Sequence, residues 1–139
     1  MTAMAAWGES RVIPGLRDAV RSLIAATGDA ESMWRLGESE VADGLATVGQ
    51  LRQLLDVAEV MLVREGLTRG LPEQESWSPH DWVVHCEGRR APDPDSRHVS
   101  TALRVAKGDP SVAEVTSAFV AGDLPLGKTD QLIRFDEHL

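Results

Sequence analysis

Three residue types are scarce or missing in this sequence, which has one cysteine, no tyrosine and no asparagine. With Cys86 alone, no disulfide can form within the chain and no cysteine-based zinc cluster can be built. No stretch approaches the ~20 consecutive apolar residues that a membrane span needs. No basic segment leads into an apolar run near the start, as it would in a signal peptide. We therefore expect a cytoplasmic protein that makes no membrane contact.

Positive charge is also in short supply. The 14 Lys and Arg residues against 22 Asp and Glu leave a formal net charge of −8, which disfavours general attraction to phosphate backbones and anionic membranes. Any contact with nucleic acid would need a local basic patch. The 139 residues, 42% hydrophobic and 26% charged, have an ordinary globular composition and fit a single helical domain, 1–139.

The hydrophobic periodicity predicts an all-α fold, an irregular bundle of about five to seven helices around one long central helix. That helix should run from about Ser39, as its N-cap, to Arg69, and end at Gly70 and Pro72. Its apolar positions form one predicted inward stripe, widened by three further residues: Val41, Leu45, Val48, Leu51, Leu55, Ala58 and Leu62, with Leu54, Val57 and Met61. A face this broad favours neighbours on two sides.

Shorter helices are predicted on either side of the long one. Ser78-Pro79 and Asp95 or Ser96 are typical helix starts, and Gly28, Gly88 and Gly122 are typical ends. The predicted segments are about 10–27, 78–88, 95–107, 109–121 and 126–135. No segment shows the alternation of a half-buried strand, and no internal repeat has a fixed period.

Residues 122–129, GDLPLGKT, match the phosphate-binding pattern GxxxxGK[ST] letter for letter. A functional P-loop follows a buried parallel strand and needs further strands and a metal-binding acid. Here an amphipathic helix precedes the match, and only ten residues follow Thr129. We interpret the match as coincidence, a turn between two helices that begins at Gly122 and ends near Gly127.

The histidines predict no metal site, and no cofactor is expected. His80 and His85 are five residues apart on one short helix, so they point about 140° away from each other. His98 and His138 lie elsewhere, and surface or cap-adjacent roles are expected for all four. Cys86 shares the Trp82 face and is interpreted as a small core residue. No acid, base and nucleophile grouping emerges, so no catalytic residue is predicted.

One basic cluster stands out in this acidic chain. Its members are Arg89, Arg90, Arg97, Arg104 and Lys107. The last three project from the 95–107 helix, opposite its apolar side of Val99, Ala102, Leu103 and Ala106, and the first two lie in the loop before it. The cluster is a candidate nucleic-acid-binding surface. The alternative is a solvated face, partly paired with neighbouring carboxylates.

Two stretches resemble the actinobacterial domain-of-unknown-function 222 family, a helical domain found N-terminal to HNH endonucleases. The first stretch comprises Trp34-Arg35-Leu36, Glu38 to Ala42, and the positions through Leu51, Leu55, Ala58, Glu59, Val63 and Glu65 to Arg69-Gly70-Leu71. The second comprises Asp81-Trp82-Val83, Val99, Leu103, Ala106, Pro110, Val112, Ala118-Phe119, Gly122-Asp123-Leu124, Leu126, Asp130-Gln131 and Ile133. Together they cover about residues 33–135.

The resemblance implies a helical fold, an association with mobile or DNA-processing genes and no defined catalytic residue. The chain departs from the family in one respect. The HNH nuclease motif usually needs Asn and adjacent histidines, and neither occurs here. The nuclease is therefore expected to be absent. A fragment, a designed chain and a short stand-alone relative all fit. An apolar face left open by a missing C-terminal helix would favour self-association.

These observations lead to a functional expectation with alternatives. The first is a non-catalytic helical module of an HNH-endonuclease-type or mobile-element DNA-processing protein, which positions DNA, bound weakly, or a protein partner. The second is a protein-interaction or oligomerisation domain without a DNA role, for which homo-oligomerisation is expected. A nucleotide-dependent enzyme using residues 122–129 is the third and least favoured.

Overall fold

The structure is a computed structural model that describes residues 10–108 and 113–137, and side chains except at 113–116 and 135–137. The described residues form helices and no strand, which confirms the all-α prediction. In chain order the helices are α1 (Val12–Thr27), α2 (Ala30–Trp34), α3 (Glu38–Thr68), α4 (Leu71–Gln74), α5 (Pro79–Glu87), α6 (Ser96–Ala106), α7 (Ala113–Val120) and α8 (Leu126–Glu137). The predicted Asp109-Pro110 cap and the inward position of Val112 fall outside the described residues.

The chain divides into two compact units, Met1–Gly44 and Leu45–Leu139. Whether these units form the single predicted domain stays a prediction. In the described part of the first unit, α1 and α2 contain no buried residue. Gly28 ends α1 as predicted, and the Asp29 carboxylate caps α2 by accepting the Ser32 N–H at 3.1 Å. Local signals therefore define these helices without a core of their own.

The second unit contains the apolar core. It is built from the C-terminal half of α3 and from α5 to α8, with α6 packed against both α5 and α8. The buried apolar residues are Val57, Val60, Val63, Val83, Val99, Ala102, Leu103, Val105, Ala106, Phe119, Leu126 and Ile133. Five of the twelve belong to α6, which confirms the predicted apolar side of that helix and adds Val105.

The helices α5 and α6 begin at the capping residues that the sequence predicted. The Ser78 hydroxyl accepts the Asp81 N–H at 3.2 Å at the start of α5, and the Asp95 carboxylate accepts the Arg97 N–H at 3.0 Å at the start of α6. The far end of α6 is held from another helix. Arg64 of α3 donates from Nε to the Ala106 carbonyl at 3.1 Å, which satisfies one of the carbonyls that a helix end leaves unpaired.

The predicted inward face of α3 is wrong. Val48, Leu55 and Leu62 are exposed, at 40%, 48% and 43%, and most other members of the predicted stripe are exposed as well. The buried residues are Val57, which the widened stripe included, and Val60, Val63 and Gly66, which it did not. Apolar residues occur on both sides of α3, so periodicity alone could not decide which side meets the core.

Packing against Trp82 orients α3 near its C-terminal end. A Cβ placed on Gly66 would lie 2.3 Å from Cη2 of Trp82, so the missing side chain is what lets the indole approach the helix. The start of α3 also differs from the prediction. Glu38 is already helical, so Ser39 is not the N-cap; instead, Glu40 Oε1 accepts the Gly37 N–H at 3.1 Å. Gly70 ends the helix as predicted, in the left-handed conformation.

Candidate functional sites

Arg104 differs from the other members of the predicted basic cluster, because it forms an ion pair with Asp130. Its Nε lies 3.0 Å from Asp130 Oδ1 and its Nη2 lies 3.2 Å from Oδ2, a two-point contact that joins α6 to α8. The Asp130 side chain is only 8% exposed. Arg134, one turn further along α8, brings its Nε to 3.4 Å from Oδ2. Arg104 therefore holds two helices together.

The other four members of the cluster are exposed. Arg89 and Arg90 follow α5, Arg97 lies in the first turn of α6, and Lys107 is its C-cap residue. Within the described residues none of the four forms an ion pair. Ten residues separate Arg97 from Lys107, which is about 15 Å along a helix axis. The basic surface is therefore extended, and Arg104 within it is paired with Asp130.

A second charged cluster joins α3 to the start of α6. Asp56 and Glu59 are three residues apart on α3, so their carboxylates share one side of the helix. His98, in the first turn of α6, places Nε2 3.1 Å from Asp56 Oδ1 and 2.9 Å from Glu59 Oε1. The predicted surface or cap-adjacent role of His98 did not include these two contacts. The one feature of the sequence that could have indicated this cluster is the pair of acids, Asp56 and Glu59, on either side of the buried Val57.

Negative charge exceeds positive charge in this second cluster. Glu59 Oε1 is buried and, among the described residues, has no hydrogen-bond partner, although the imidazole lies 2.9 Å away. Burial, a hydrogen bond with Glu87 and the negative charges of Glu87 and Asp56 together raise the pKa of Glu59 to about 9, with burial the largest cause. Burial also raises the pKa of Asp56, against the opposing effect of His98. Two carboxylates thus face a single imidazole, and Glu87 adds negative charge beside Glu59.

The turn that matches the P-loop pattern connects two helices, as predicted. Gly122, at φ 86°, ends α7 in a Schellman arrangement, with backbone bonds from Gly122 to Phe119 and from Asp123 to Ala118. The Gly-Lys-Thr part of the match lies inside α8. The buried Thr129 hydroxyl donates to the Pro125 carbonyl at 2.9 Å.

A true P-loop turns its backbone N–H groups towards phosphate and its threonine towards magnesium. Here the Leu124 carbonyl of the turn accepts a hydrogen bond from Gln53 Nε2 at 2.7 Å, and Thr129 is occupied within its own helix. The interpretation of the match as coincidence stays a prediction, which this geometry favours.

His80, His85 and the cysteine have local partners, whereas the surface role predicted for His138 falls outside the described residues. His80 Nε2 lies 3.1 Å from the Ser96 hydroxyl, and the His85 ring stacks on Trp77 with centroids 5.0 Å apart. Cys86 is half-buried, and burial raises the pKa of its thiol, against the effect of Arg89. A raised pKa disfavours the thiolate, which is the nucleophilic form of cysteine. These contacts agree with structural roles.

No family model, no characterised protein and no solved structure matches this chain. The resemblance to the domain-of-unknown-function 222 family therefore stays a prediction from the residues that carry it. In the described part of the chain, no helix combines the length and the apolar character needed to cross a membrane. Fold and local geometry define an all-α protein with two charged clusters.

Proposed function

We propose that this chain is a non-catalytic helical interaction module that self-associates through the outer side of α3. One observation carries the proposal. Val48, Leu55 and Leu62, all exposed, recur at strict intervals of seven, and Leu51 and Ala58 fall at the intermediate positions of the same heptads. Apolar residues that alternate at intervals of three and four form the contact seam of paired helices.

Further exposed apolar residues widen the outer side of α3. Leu54 and Met61 lie beside the seam and are also exposed. Soluble monomers seldom expose contiguous apolar patches larger than a few hundred Å². A second copy of the chain offers the same seam, and a two-fold axis would pair like with like. The opposite side of α3 already packs on the core of its own unit, so self-association would give this helix neighbours on both sides.

Molecular mass in solution tests the proposal. Sedimentation or light scattering over a concentration series should show a monomer–dimer equilibrium. Leu55→Arg should move it to monomer, because a charge in the seam would have to be buried without a partner. Gln50→Arg adds the same charge to an exposed position of α3 outside the seam and should leave the equilibrium unchanged. A wild-type chain that stays monomeric at hundreds of micromolar would contradict the proposal.

DNA contact within an HNH-type or mobile-element protein is the second proposal, and the four exposed cations favour it. Arg97 and Lys107 are its best probes, because Arg104 has a structural role. Arg97→Glu combined with Lys107→Glu should abolish retention of duplex DNA at low salt, since phosphate contacts supply non-specific affinity. Arg11→Glu combined with Arg17→Glu, at exposed positions outside the cluster, makes the same change in total charge and should leave retention unchanged. If the wild type does not bind DNA at low salt, DNA contact is excluded.

A further inference from the structure

The cluster of Asp56, Glu59 and His98 suggests a ligand that neither proposed function uses. We infer that these three side chains form a binding site for one divalent transition-metal ion, of the Zn²⁺ or Mn²⁺ class. Each residue offers one ligand atom, and all three atoms lie within 4.8 Å of one another. The site belongs to one unit and joins α3 to α6.

The distances suit a shared ion. Two ligand atoms bound at about 2.0–2.2 Å in neighbouring coordination positions lie roughly 3.0–3.4 Å apart. His98 Nε2 lies 3.1 Å from Asp56 Oδ1 and 2.9 Å from Glu59 Oε1. Small side-chain rotations would therefore bring the three atoms around one ion without moving either helix.

Hydrogen bonding alone does not satisfy the cluster. The Nε2 atom of His98 carries at most one proton, so it can donate one directed hydrogen bond, whereas two carboxylate oxygens face it. Glu59 Oε1 is buried and has no hydrogen-bond partner in the part of the chain that the structure describes. A divalent cation can accept electron pairs from the imidazole and both carboxylates together. It would also offset the repulsion among Asp56, Glu59 and the nearby Glu87.

The donor set selects the class of metal. Mg²⁺ and Ca²⁺ are bound mainly by oxygen, whereas imidazole suits Zn²⁺ and related transition ions, and carboxylates suit Mn²⁺. One nitrogen and two carboxylate oxygens combine these preferences. The backbone supports the site, because the Asp95 carboxylate accepts the N–H groups of Arg97 and His98 and so fixes the turn that presents the imidazole. Glu87 or water would complete the coordination.

Calorimetric titration of the chelator-treated full chain with ZnCl₂, MnCl₂ and MgCl₂ tests the inference. We expect one equivalent of Zn²⁺ or Mn²⁺ to bind and Mg²⁺ to bind far more weakly. His98→Gln and Glu59→Gln should each weaken binding by at least ~10-fold, since even indirect supports of metal ligands matter on that scale. His85→Gln removes a histidine outside the cluster and should bind like the wild type.

Several results would overturn the inference. These are the absence of one-equivalent binding of either transition metal, affinity that survives in both cluster variants, and equal loss in His85→Gln. Helical circular dichroism of each metal-free variant checks that it folds. Should Glu59→Gln fail to fold, Asp56→Asn provides the same test at a second ligand. The Leu55→Arg variant should keep its metal affinity, which separates this inference from the self-association proposal.

Discussion

Two charged clusters of the second unit, the group of Arg104, Asp130 and Arg134 and the group of Asp56, Glu59 and His98, are built in opposite ways. At one, two arginines, Arg104 and Arg134, approach a single buried carboxylate, Asp130, and one of them contacts both of its oxygens. At the other, a single imidazole, His98, faces an excess of carboxylates, and a buried oxygen of Glu59 has no hydrogen-bond partner among the described residues. Both clusters connect α6 to a neighbouring helix, so their position in the fold is similar and only their charge balance differs.

The balanced charges around Asp130 stabilise the fold, whereas the excess of carboxylates around His98 does not. A buried carboxylate matched by guanidinium groups keeps its charge solvated by the protein itself. A buried carboxylate surrounded by others destabilises the fold unless it takes up a proton or a cation. Clusters of the second kind are where ligand binding is to be sought. Three substitutions, one of them followed across pH, test whether the contrast holds.

Asp130→Ala should have the largest effect. It removes the shared partner of Arg104 and Arg134 and should lower the free energy of unfolding by about 2 kcal/mol. The loss should lie below that of a fully buried pair, because Arg104 is 40% exposed and can reach water. Urea unfolding followed by circular dichroism gives the value. Asp123→Ala, at an exposed turn, is the control and should change stability by less than ~0.5 kcal/mol.

Glu59→Gln should act in the opposite direction. In the presence of a chelator at pH 8, this substitution should raise the free energy of unfolding by about 1–2 kcal/mol, because it removes a buried carboxylate that lacks a partner. The same urea experiment measures it. A destabilised Glu59→Gln chain would mean that His98 already balances the cluster, and the contrast between the two clusters would be lost.

The gain from Glu59→Gln should depend on pH. In the folded chain the pKa of Glu59 is raised from about 4.5 to about 9. Below pH 4.5 the carboxyl is protonated in both folded and unfolded chains, and its contribution to stability is fully present. As pH rises towards 9, the unfolded chain ionises first, and this contribution is lost. The two unfolding curves should therefore converge near pH 4.5 and separate up to about pH 9. Parallel curves would contradict the assignment.

Arg134→Ala should have the smallest effect. Its single contact with Asp130 is 3.4 Å long, and its side chain is 51% exposed. Exposed ion pairs of this kind contribute little, so the expected loss is below ~0.5 kcal/mol. A loss as large as that of Asp130→Ala would show that Arg134, and not the two-point contact of Arg104, balances the first cluster.

Local signals predicted the short helices well. Ser78, Asp95 and Gly88 act within a few residues of themselves, and the structure uses each one as expected. The core side of α6 was also predictable, because apolar residues lie on one side of it only. The orientation of α3 was not, because both sides are apolar and the choice depends on Trp82 meeting Gly66. The pattern of apolar residues along α3 does not carry that information.

The charged clusters were beyond sequence reasoning for a similar reason. Asp130 follows Arg104 by 26 residues, and no neighbouring residue in the sequence indicates that the two form an ion pair. His98 follows Asp56 by 42 residues and looks like an isolated surface histidine until α6 packs beside α3. The prediction of exposed cations at Arg97 and Lys107 needed only the helix period, and the structure agrees with it.

The contact of Arg64 with the end of α6 has a consequence for insertions and deletions. Asp56 meets His98, and eight residues later on both helices Arg64 meets Ala106. The two helices therefore run in the same direction, with matched lengths between two fixed points. Adding or removing one residue in either interval would shift one contact by about 1.5 Å along the axis and rotate it by about 100°. Chains descended from a common ancestor should vary in length outside these intervals, or change both together.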